Sequence, residues 1–301
     1  MRFIAIILSL FVLLQAADAN AVTLDEISLT SSGQSRSYKI FVPPNAPARN
    51  APVVIMLHGG GGNGQNAADM TGIAEYAAKQ GFIAVFPNGS ARGKMKLRTW
   101  NAGHCCGYAM QNKINDISFL TDVIDDVIKR YNANPKAIFM TGLSNGGMMT
   151  HAYAMARPDK VIAIAPVISG IFGDEVAPKT PVPVLTINGA LDESVPLNGG
   201  LTEGRFKSAW DGTPIKPVTY QGEFWAKNNG CATSEPPYKK QQTNLTIYSY
   251  SCPKDAQVFQ YVVEDAGHSW PGGKRGTKRA DQPSQAMNAT EAIWAFFKSH
   301  L

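Results

Sequence analysis

The chain has 301 residues, of which 44% are hydrophobic and 17% charged, and this is the composition of an ordinary globular protein. Its formal net charge of +5 at pH 7 is small for this length. No basic stripe is interleaved with aromatic residues, so the sequence does not indicate a nucleic-acid partner.

The first 21 residues have the pattern of a secretory signal peptide. Arg2 supplies a short basic start, residues 3–14 are apolar, and small residues at 17, 19 and 21 offer a cleavage site. The apolar run is shorter than the roughly 18 residues that a membrane span needs. We therefore predict export, either to the periplasm or to the medium, with no membrane attachment after cleavage. Residues 22–301 are expected to form a single α/β domain.

Predicted strands and helices alternate along this domain. The continuous apolar run 53–57 is typical of a central parallel strand that is buried on both faces. We expect strands at 22–30, 37–42, 53–57, 82–86, 137–141, 161–167, 184–187, 245–250 and 258–263, and helices at 67–80, 116–131, 148–156 and 284–297. This alternation predicts an α/β fold with a mostly parallel, doubly wound sheet.

A serine motif lies where a predicted strand meets the predicted helix 148–156. Residues 142–146 read G-L-S-N-G, which is the G-x-S-x-G pattern of a nucleophile elbow. The flanking glycines of such an elbow leave room for a sharp turn, and the serine hydroxyl points outward at the positive end of the helix. We predict that Ser144 is a catalytic nucleophile; a glycine-rich turn with an incidental serine is the alternative.

A serine nucleophile needs a base to take its proton and an acid to orient that base. His268 follows the last predicted strand, where the chain order serine, acid, histidine places the base. The competing histidines are less well placed. His151 lies two turns into the helix after Ser144, His300 lies in the last helix, and His58 orders a glycine turn. We predict that His268 is the base.

The acid is expected in a loop at the carboxyl edge of the sheet, after a strand that lies between Ser144 and His268 in the chain. The predicted strand 184–187 runs into the loop that contains Asp192. Ligands bind at this edge in open α/β sheets. We predict that Asp192 orients His268, with the neighbouring Glu193 as its competitor.

The negative oxygen of an acyl-transfer transition state needs N–H donors that are already in place. The backbone N–H of Asn145, directly after the nucleophile, is the first expected donor. The second is expected at Gly60, in the glycine run after strand 53–57, where a backbone without side chains can approach the substrate. A glycine run can also cradle phosphate, but no Lys-Ser/Thr pair follows it, so a P-loop is excluded.

Four cysteines in an exported chain predict disulfides. Cys231 and Cys252 flank a short hairpin-like segment and are predicted to pair. Cys105 and Cys106 are adjacent, and the sequence leaves open whether they bridge each other or separate partners. Neighbouring cysteines beside His104 are a poor ligand set for a tetrahedral ion, so we predict no metal site.

Two tryptophans lie in loops near the expected active edge. Trp100 belongs to the long loop after strand 82–86, and Trp270 comes two residues after His268. Exposed rings at these positions would line the pocket for an apolar or aromatic acyl group, whereas buried rings would only fill the loops. We predict that both tryptophans contact the substrate.

Five segments occur in one order over nearly the whole domain: L-H-G-G-G-G, T-W-N-A-G-H-C-C-G, G-L-S-N-G-G-M-M, I-N-G-A-L-D-E-S-V-P and G-H-S-W-P-G-G. Together they resemble the polyhydroxybutyrate depolymerase and feruloyl esterase family of secreted α/β-hydrolases. The resemblance implies a single catalytic domain over residues 22–301, a serine esterase mechanism without metal or organic cofactor, and Ser144, Asp192 and His268 as the triad. The implied substrates are hydroxycinnamate esters of cell-wall polysaccharide or poly(3-hydroxybutyrate).

Extracellular depolymerases of this resemblance often carry a linker and a polymer-binding module after the catalytic domain. This chain ends at Leu301, directly after its last predicted helix, and we therefore favour a soluble feruloyl-type ester over solid polyester. A non-catalytic exported protein that binds polymer or carbohydrate on a hydrolase scaffold is the alternative class. The sequence indicates no particular oligomeric state.

Overall fold

The structure is a computed structural model that describes residues 22–93, 97–203 and 207–301. The predicted signal peptide at residues 1–21 lies outside these described residues. Within them, no helix combines the length and the apolar character that crossing a membrane requires.

One sheet of ten strands forms the centre of the described part of the chain. The strands are β1 (Asp25–Ser31), β2 (Gln34–Phe41), β3 (Val53–Leu57), β4 (Ile83–Pro87), β5 (Ile138–Leu143), β6 (Ala163–Val167), β7 (Val184–Gly189), β8 (Tyr238–Gln242), β9 (Leu245–Ser249) and β10 (Val258–Val263). Their order across the sheet is β1-β2-β4-β3-β5-β6-β7-β10-β9-β8. The strands from β4 to β10 in this order pair in parallel, and the outer strands pair antiparallel. The mostly parallel sheet is therefore confirmed.

Helices cover both faces of the sheet, as expected for a doubly wound fold. They are α1 (Gly64–Thr71), α2 (Ile73–Gln80), α3 (Gly107–Gln111), α4 (Asp116–Tyr131), α5 (Asn145–Ala156), α6 (Val218–Asn228) and α7 (Ala289–Lys298). Buried residues of α4, α5 and α6 form one core layer, and those of α1, α2 and α7 form the other. In β3, Val53, Ile55 and Leu57 pack into the first layer and Val54 and Met56 into the second. A strand that is covered on both sides must be apolar throughout, which explains this run.

Three of the predicted helices have different boundaries in the structure; the one predicted at 148–156 begins earlier, at Asn145. The single helix expected at 67–80 is two helices, because Gly72 adopts a left-handed backbone with φ of 65° and closes α1. The last helix begins at Ala289 rather than at residue 284, because the side chain of Asn288 accepts a hydrogen bond from the Glu291 N–H and caps it.

Strand β8 and helices α3 and α6 lie outside the predicted elements. Strand β8 reads Y-K-K-Q-Q and is exposed along its length, so it lacks the apolar alternation by which strands are recognised. Helix α6 begins with the β-formers Val-Thr-Tyr and contains Gly222, which local propensity disfavours in a helix. Tertiary packing stabilises α6, whose Trp225 is fully buried, whereas β8 is a strand because it pairs with β9.

Candidate active site

Ser144 lies in the sharp turn between β5 and α5. Its backbone has φ of 56° and ψ of −122°, a conformation that residues other than glycine rarely adopt. The turn is possible because its neighbours are glycines: a Cβ added at Gly142 would overlap the carbonyl oxygen of Gly146, and one added at Gly146 would overlap that of Leu57. The predicted nucleophile elbow is therefore present in the geometry.

Three loops at the carboxyl edge of the sheet bring Ser144, His268 and Asp192 together. The Nε2 atom of His268 lies 2.9 Å from the Ser144 Oγ. Its Nδ1 atom lies 2.8 Å from Oδ2 and 3.0 Å from Oδ1 of Asp192. Because a carboxylate only accepts hydrogen bonds, Nδ1 carries the proton and Nε2 is left to accept from the serine hydroxyl.

Asp192 is held by the backbone that follows it. Its Oδ1 atom accepts hydrogen bonds from the N–H groups of Ser194, at 2.8 Å, and Val195, at 2.9 Å. The side chain of Asp192 is 1% exposed, whereas the competitor Glu193 is exposed to solvent. A buried, fully bonded carboxylate has a fixed position, which is what orienting a histidine requires.

The predicted oxyanion donors lie beside the nucleophile. A Cβ added at Gly60 would lie 3.7 Å from the Asn145 Cβ, and one added at Gly59 would lie 3.6 Å from the Ser144 Cβ. The N–H of Asn145 opens α5, where the first backbone N–H groups have no acceptor within the helix. The backbone of the glycine turn and the start of α5 thus border the same small space.

His58 orders this glycine turn from beneath. Its Nε2 atom accepts from the Gly89 N–H at 2.9 Å, so its Nδ1–H donates to the Gly59 carbonyl at 2.8 Å. Both ring nitrogens are therefore used in the neutral form. This arrangement agrees with the structural role expected for His58.

The side chain of Asn145 has a role that the sequence pattern did not indicate. Its Oδ1 atom accepts from the Trp100 N–H at 2.8 Å, and its Nδ2 donates to the Trp100 carbonyl at 3.0 Å. These two buried bonds fasten the 100–106 loop to the start of α5. The middle positions of G-x-S-x-G accept many residue types, so the motif alone carries no signal for this contact.

Asp281 is a second residue that sequence reasoning missed. Its Oδ2 atom accepts a 2.6 Å hydrogen bond from the backbone N–H of His268. A Cβ added at the preceding Gly267 would overlap this carboxylate, so the loop approaches Asp281 closely. This contact fixes the backbone of the candidate base, and Asp281 lies 13 residues after His268 in the chain.

The prediction that Trp100 and Trp270 line the pocket is wrong. Both side chains are 0% exposed. The indole N–H of Trp100 donates to the His58 carbonyl at 2.9 Å, and that of Trp270 donates to the Thr290 hydroxyl at 3.1 Å. Each large ring buries its apolar surface and satisfies its one polar atom internally, so both fill the core beneath the loops.

The structure shows how the four cysteines pair. Cys231 and Cys252 are bonded, as predicted. Cys105 and Cys106 are bonded to each other, which is the first of the two alternatives that the sequence left open.

Two buried histidines predict a loss of stability in acid. Burial lowers the pKa of His58 to about 4 and that of His151 to about 4, from an ordinary value of 6.5. The unfolded chain therefore binds protons that the folded chain does not, so this stability is complete above about pH 6.5 and is lost as the pH falls toward 4. For each histidine, this difference in pKa corresponds to roughly 3 kcal/mol of unfolding free energy that is lost at low pH. We expect the melting temperature to drop across this range in a pH series.

The matched variant is His151→Gln, which lacks the titrating ring. His151 accepts from the Trp225 indole N–H at 3.0 Å and donates to the Gln221 carbonyl oxygen at 2.7 Å, so its loss lowers stability at pH 7. The slope of melting temperature between pH 6.5 and 4 should become shallower than that of the unaltered protein. An unchanged slope would rule out His151 as a source of the acid sensitivity.

Comparison with known proteins agrees with this fold and motif set. A family model described as "Esterase PHB depolymerase" matches residues 36–197. Feruloyl esterase B of Piromyces equi is 30% identical over 236 residues, which cover 75% of this chain and 41% of that protein. The bifunctional acetylxylan esterase/xylanase XynS20E of Neocallimastix patriciarum is 26% identical over 240 residues, covering 79% of this chain and 31% of that protein. The chain thus spans less than half the length of each of these relatives.

A solved structure shows the same fold over most of this chain. The acetyl xylan esterase from Aspergillus awamori matches with a TM-score of 0.62, covering 92% of this chain and 99% of that chain at 17% identity. The class of protein defined by fold and relatives is that of the esterases with an α/β-hydrolase fold. Since the family model covers more than half of the sequence, the chain belongs to the PHB depolymerase esterase family.

Proposed function

We propose that the protein is an exported serine esterase that hydrolyses carboxylic esters through Ser144, His268 and Asp192. The observation that carries this proposal is the continuous hydrogen-bonded line from the Ser144 Oγ, 2.9 Å from His268 Nε2, to Asp192 Oδ2, 2.8 Å from His268 Nδ1. Such a line makes a serine hydroxyl nucleophilic. Family membership supports ester hydrolysis as the reaction.

In the proposed reaction, Ser144 attacks the ester carbonyl while His268 takes the hydroxyl proton. The N–H groups of Asn145 and Gly60 stabilise the negative oxygen of the tetrahedral intermediate. His268 returns the proton to the departing alcohol, and the acyl group stays on Ser144. A water molecule then attacks the acyl-enzyme with His268 as the base, releasing the acid and restoring the serine. Asp192 keeps the imidazole in one tautomer throughout.

For the substrate, we favour hydroxycinnamate or acetyl esters of cell-wall polysaccharide over solid poly(3-hydroxybutyrate). The names of the relatives from Piromyces equi and Neocallimastix patriciarum support this order. Export is supported by the predicted signal peptide at residues 1–21 and by two disulfides, since such bonds persist in oxidising compartments.

The test is a release assay on the purified mature protein, combined with labelling by a fluorophosphonate. The substrates are methyl ferulate, p-nitrophenyl acetate, p-nitrophenyl butyrate and a suspension of poly(3-hydroxybutyrate). We expect covalent labelling of Ser144 and release from the soluble esters. Release of hydroxybutyrate without release of ferulate would make the protein a depolymerase. Absence of both labelling and hydrolysis would favour the alternative, a non-catalytic polymer- or carbohydrate-binding protein.

A further inference from the structure

The loop that carries His268 is held on one side by the loop that carries Asp192. The N–H of Leu191 donates to the Ala266 carbonyl at 2.9 Å. A Cβ added at Gly189 would overlap the same carbonyl oxygen, so the two backbones lie in direct contact. These contacts set the position of the backbone at residue 266, which is two residues before the imidazole.

On its other side, the His268 loop runs beside residues 281–284, which we call the clamp segment. The backbone N–H of His268 donates to the Oδ2 atom of Asp281 at 2.6 Å. The hydroxyl of the next residue, Ser269, donates to the Gln282 carbonyl at 3.1 Å. Two neighbouring hydrogen bonds therefore join the loop to the clamp segment at the position of the candidate base.

The bond to Asp281 differs from the other contacts of the loop because its acceptor is charged. A hydrogen bond from a backbone N–H to a carboxylate is stronger than one between two neutral groups. The carboxylate reaches the backbone because the preceding residue is Gly267, where a Cβ would overlap it. The imidazole is attached to the Cα next to the bonded N–H, so a bond that restrains this nitrogen also restrains the origin of the ring.

The clamp segment has an anchor that does not involve Asp281. The hydroxyl of Ser284, which is buried, donates to Asp265 Oδ1 at 2.6 Å. The other oxygen of Asp265 accepts from the Asn244 side chain at 3.2 Å. The segment is therefore tied to the ends of β9 and β10, and Asp281 extends from this anchored position to the base.

We propose that Asp281 is a positioning residue for the base. Its carboxylate holds the His268 backbone, and through it the imidazole, at the distance that proton transfer from Ser144 requires. This inference rests on the proposed function, because it takes His268 as the base. Asp281 contacts neither the substrate nor the reacting atoms in this role. One carboxylate, that of Asp192, thus fixes the ring, and a second carboxylate fixes the backbone.

A positioning role predicts a loss in kcat rather than a rise in KM. Ser144 Oγ and His268 Nε2 lie 2.9 Å apart, and a displacement of about 1 Å in such a pair can cost about 100-fold in rate. Binding of the substrate before the reaction needs no proton acceptor. Because Asp281 is exposed to solvent, its replacement opens no cavity in the core.

The experiment measures kcat and KM with p-nitrophenyl acetate. In Asp281→Ala the acceptor is gone, and we expect kcat to fall about tenfold while KM changes less than about twofold. Asp281→Asn keeps an oxygen that accepts from the His268 N–H, so its kcat should stay within about threefold of the unaltered value. An unchanged kcat in Asp281→Ala would overturn the proposal, as would an equal loss in both variants or a change confined to KM.

Glu264→Ala is the matched control. Glu264 is also an exposed carboxylate that accepts a hydrogen bond, from the Thr246 hydroxyl at 2.8 Å, and it lies four residues before His268. It does not bond the His268 backbone, so we expect kcat within about twofold of the unaltered value. A tenfold fall in this control as well would attribute the effect to general loosening of the loop and would overturn the role of Asp281.

A second measurement needs no turnover. The proton that His268 Nδ1 donates to Asp192 should give a proton magnetic resonance far downfield of the backbone amides, identified by its loss in Asp192→Asn. We expect this signal to broaden in Asp281→Ala and to persist in Asp281→Asn, because a less restrained ring exchanges its proton faster. An identical signal in Asp281→Ala would overturn the proposal. If the unaltered protein hydrolyses no ester, the proposed function fails, and this signal still decides whether Asp281 holds the imidazole.

Discussion

Replacement of Ser144 by alanine is expected to lower kcat by about 10⁴-fold or more and leave the protein folded. The hydroxyl is the only protein group in the proposed reaction that forms a bond to the acyl carbon, so no neighbouring side chain replaces it. The residual rate would come from the oxyanion donors and from substrate binding. The measurement is kcat for p-nitrophenyl acetate at saturating substrate, with circular dichroism to verify the fold.

Two further serine variants sharpen this result. Ser28→Ala, at an exposed position of the edge strand β1, should retain full activity. Ser144→Gly should be as inactive as Ser144→Ala but melt at a higher temperature. Glycine adopts φ of 56° without strain, and backbone strain of this kind costs of order 1–3 kcal/mol. Near-normal kcat in Ser144→Ala would disprove the proposed mechanism.

Replacement of Asp192 by asparagine is expected to lower kcat by about 10⁴-fold with little loss of stability. The amide oxygen can keep the hydrogen bonds from Ser194 and Val195, because these N–H groups donate to Oδ1 alone. The amide NH₂ then replaces Oδ2, which lies 2.8 Å from His268 Nδ1. A donor at this position forces the proton onto Nε2, and a protonated Nε2 cannot accept the serine proton.

Glu193→Gln provides the matched control for this variant. It makes the same carboxylate-to-amide change one residue away, on a side chain that is exposed to solvent. We expect its kcat to remain within about twofold of the unaltered value, because solvated surface carboxylates contribute little to buried chemistry. A large loss in Glu193→Gln, with activity kept in Asp192→Asn, would assign the acid to the competitor instead.

Short sequence patterns were sufficient to predict those structural features that depend only on residues close together in the chain. The run 53–57 is apolar throughout because β3 is covered on both faces, and such a run identifies a central strand. The glycines around Ser144 are needed by the turn itself, so the elbow can be recognised from five residues. Chain order then selected His268, because the carboxyl ends of parallel strands share one edge.

Other features depend on residues that are distant in the chain. Trp100 and Trp270 lie next to motif residues, but contacts with His58 and Thr290 bury them. No local pattern distinguishes a buried loop tryptophan from an exposed one. Strand β8 likewise has no sequence signal of its own. It is a strand because its backbone pairs with β9, and its side chains do not show the pattern of a strand.

The amino-acid sequence by itself determined the α/β alternation, the elbow at Ser144 and the order in which its partners follow. These are properties of short segments, because neighbouring residues alone satisfy their steric and hydrophobic requirements. Only the tertiary structure decided that Asp192 rather than Glu193 reaches His268, and that the Asn145 side chain fastens the Trp100 loop. Each of these depends on how loops from separate strands meet, and that meeting is set by packing across the sheet.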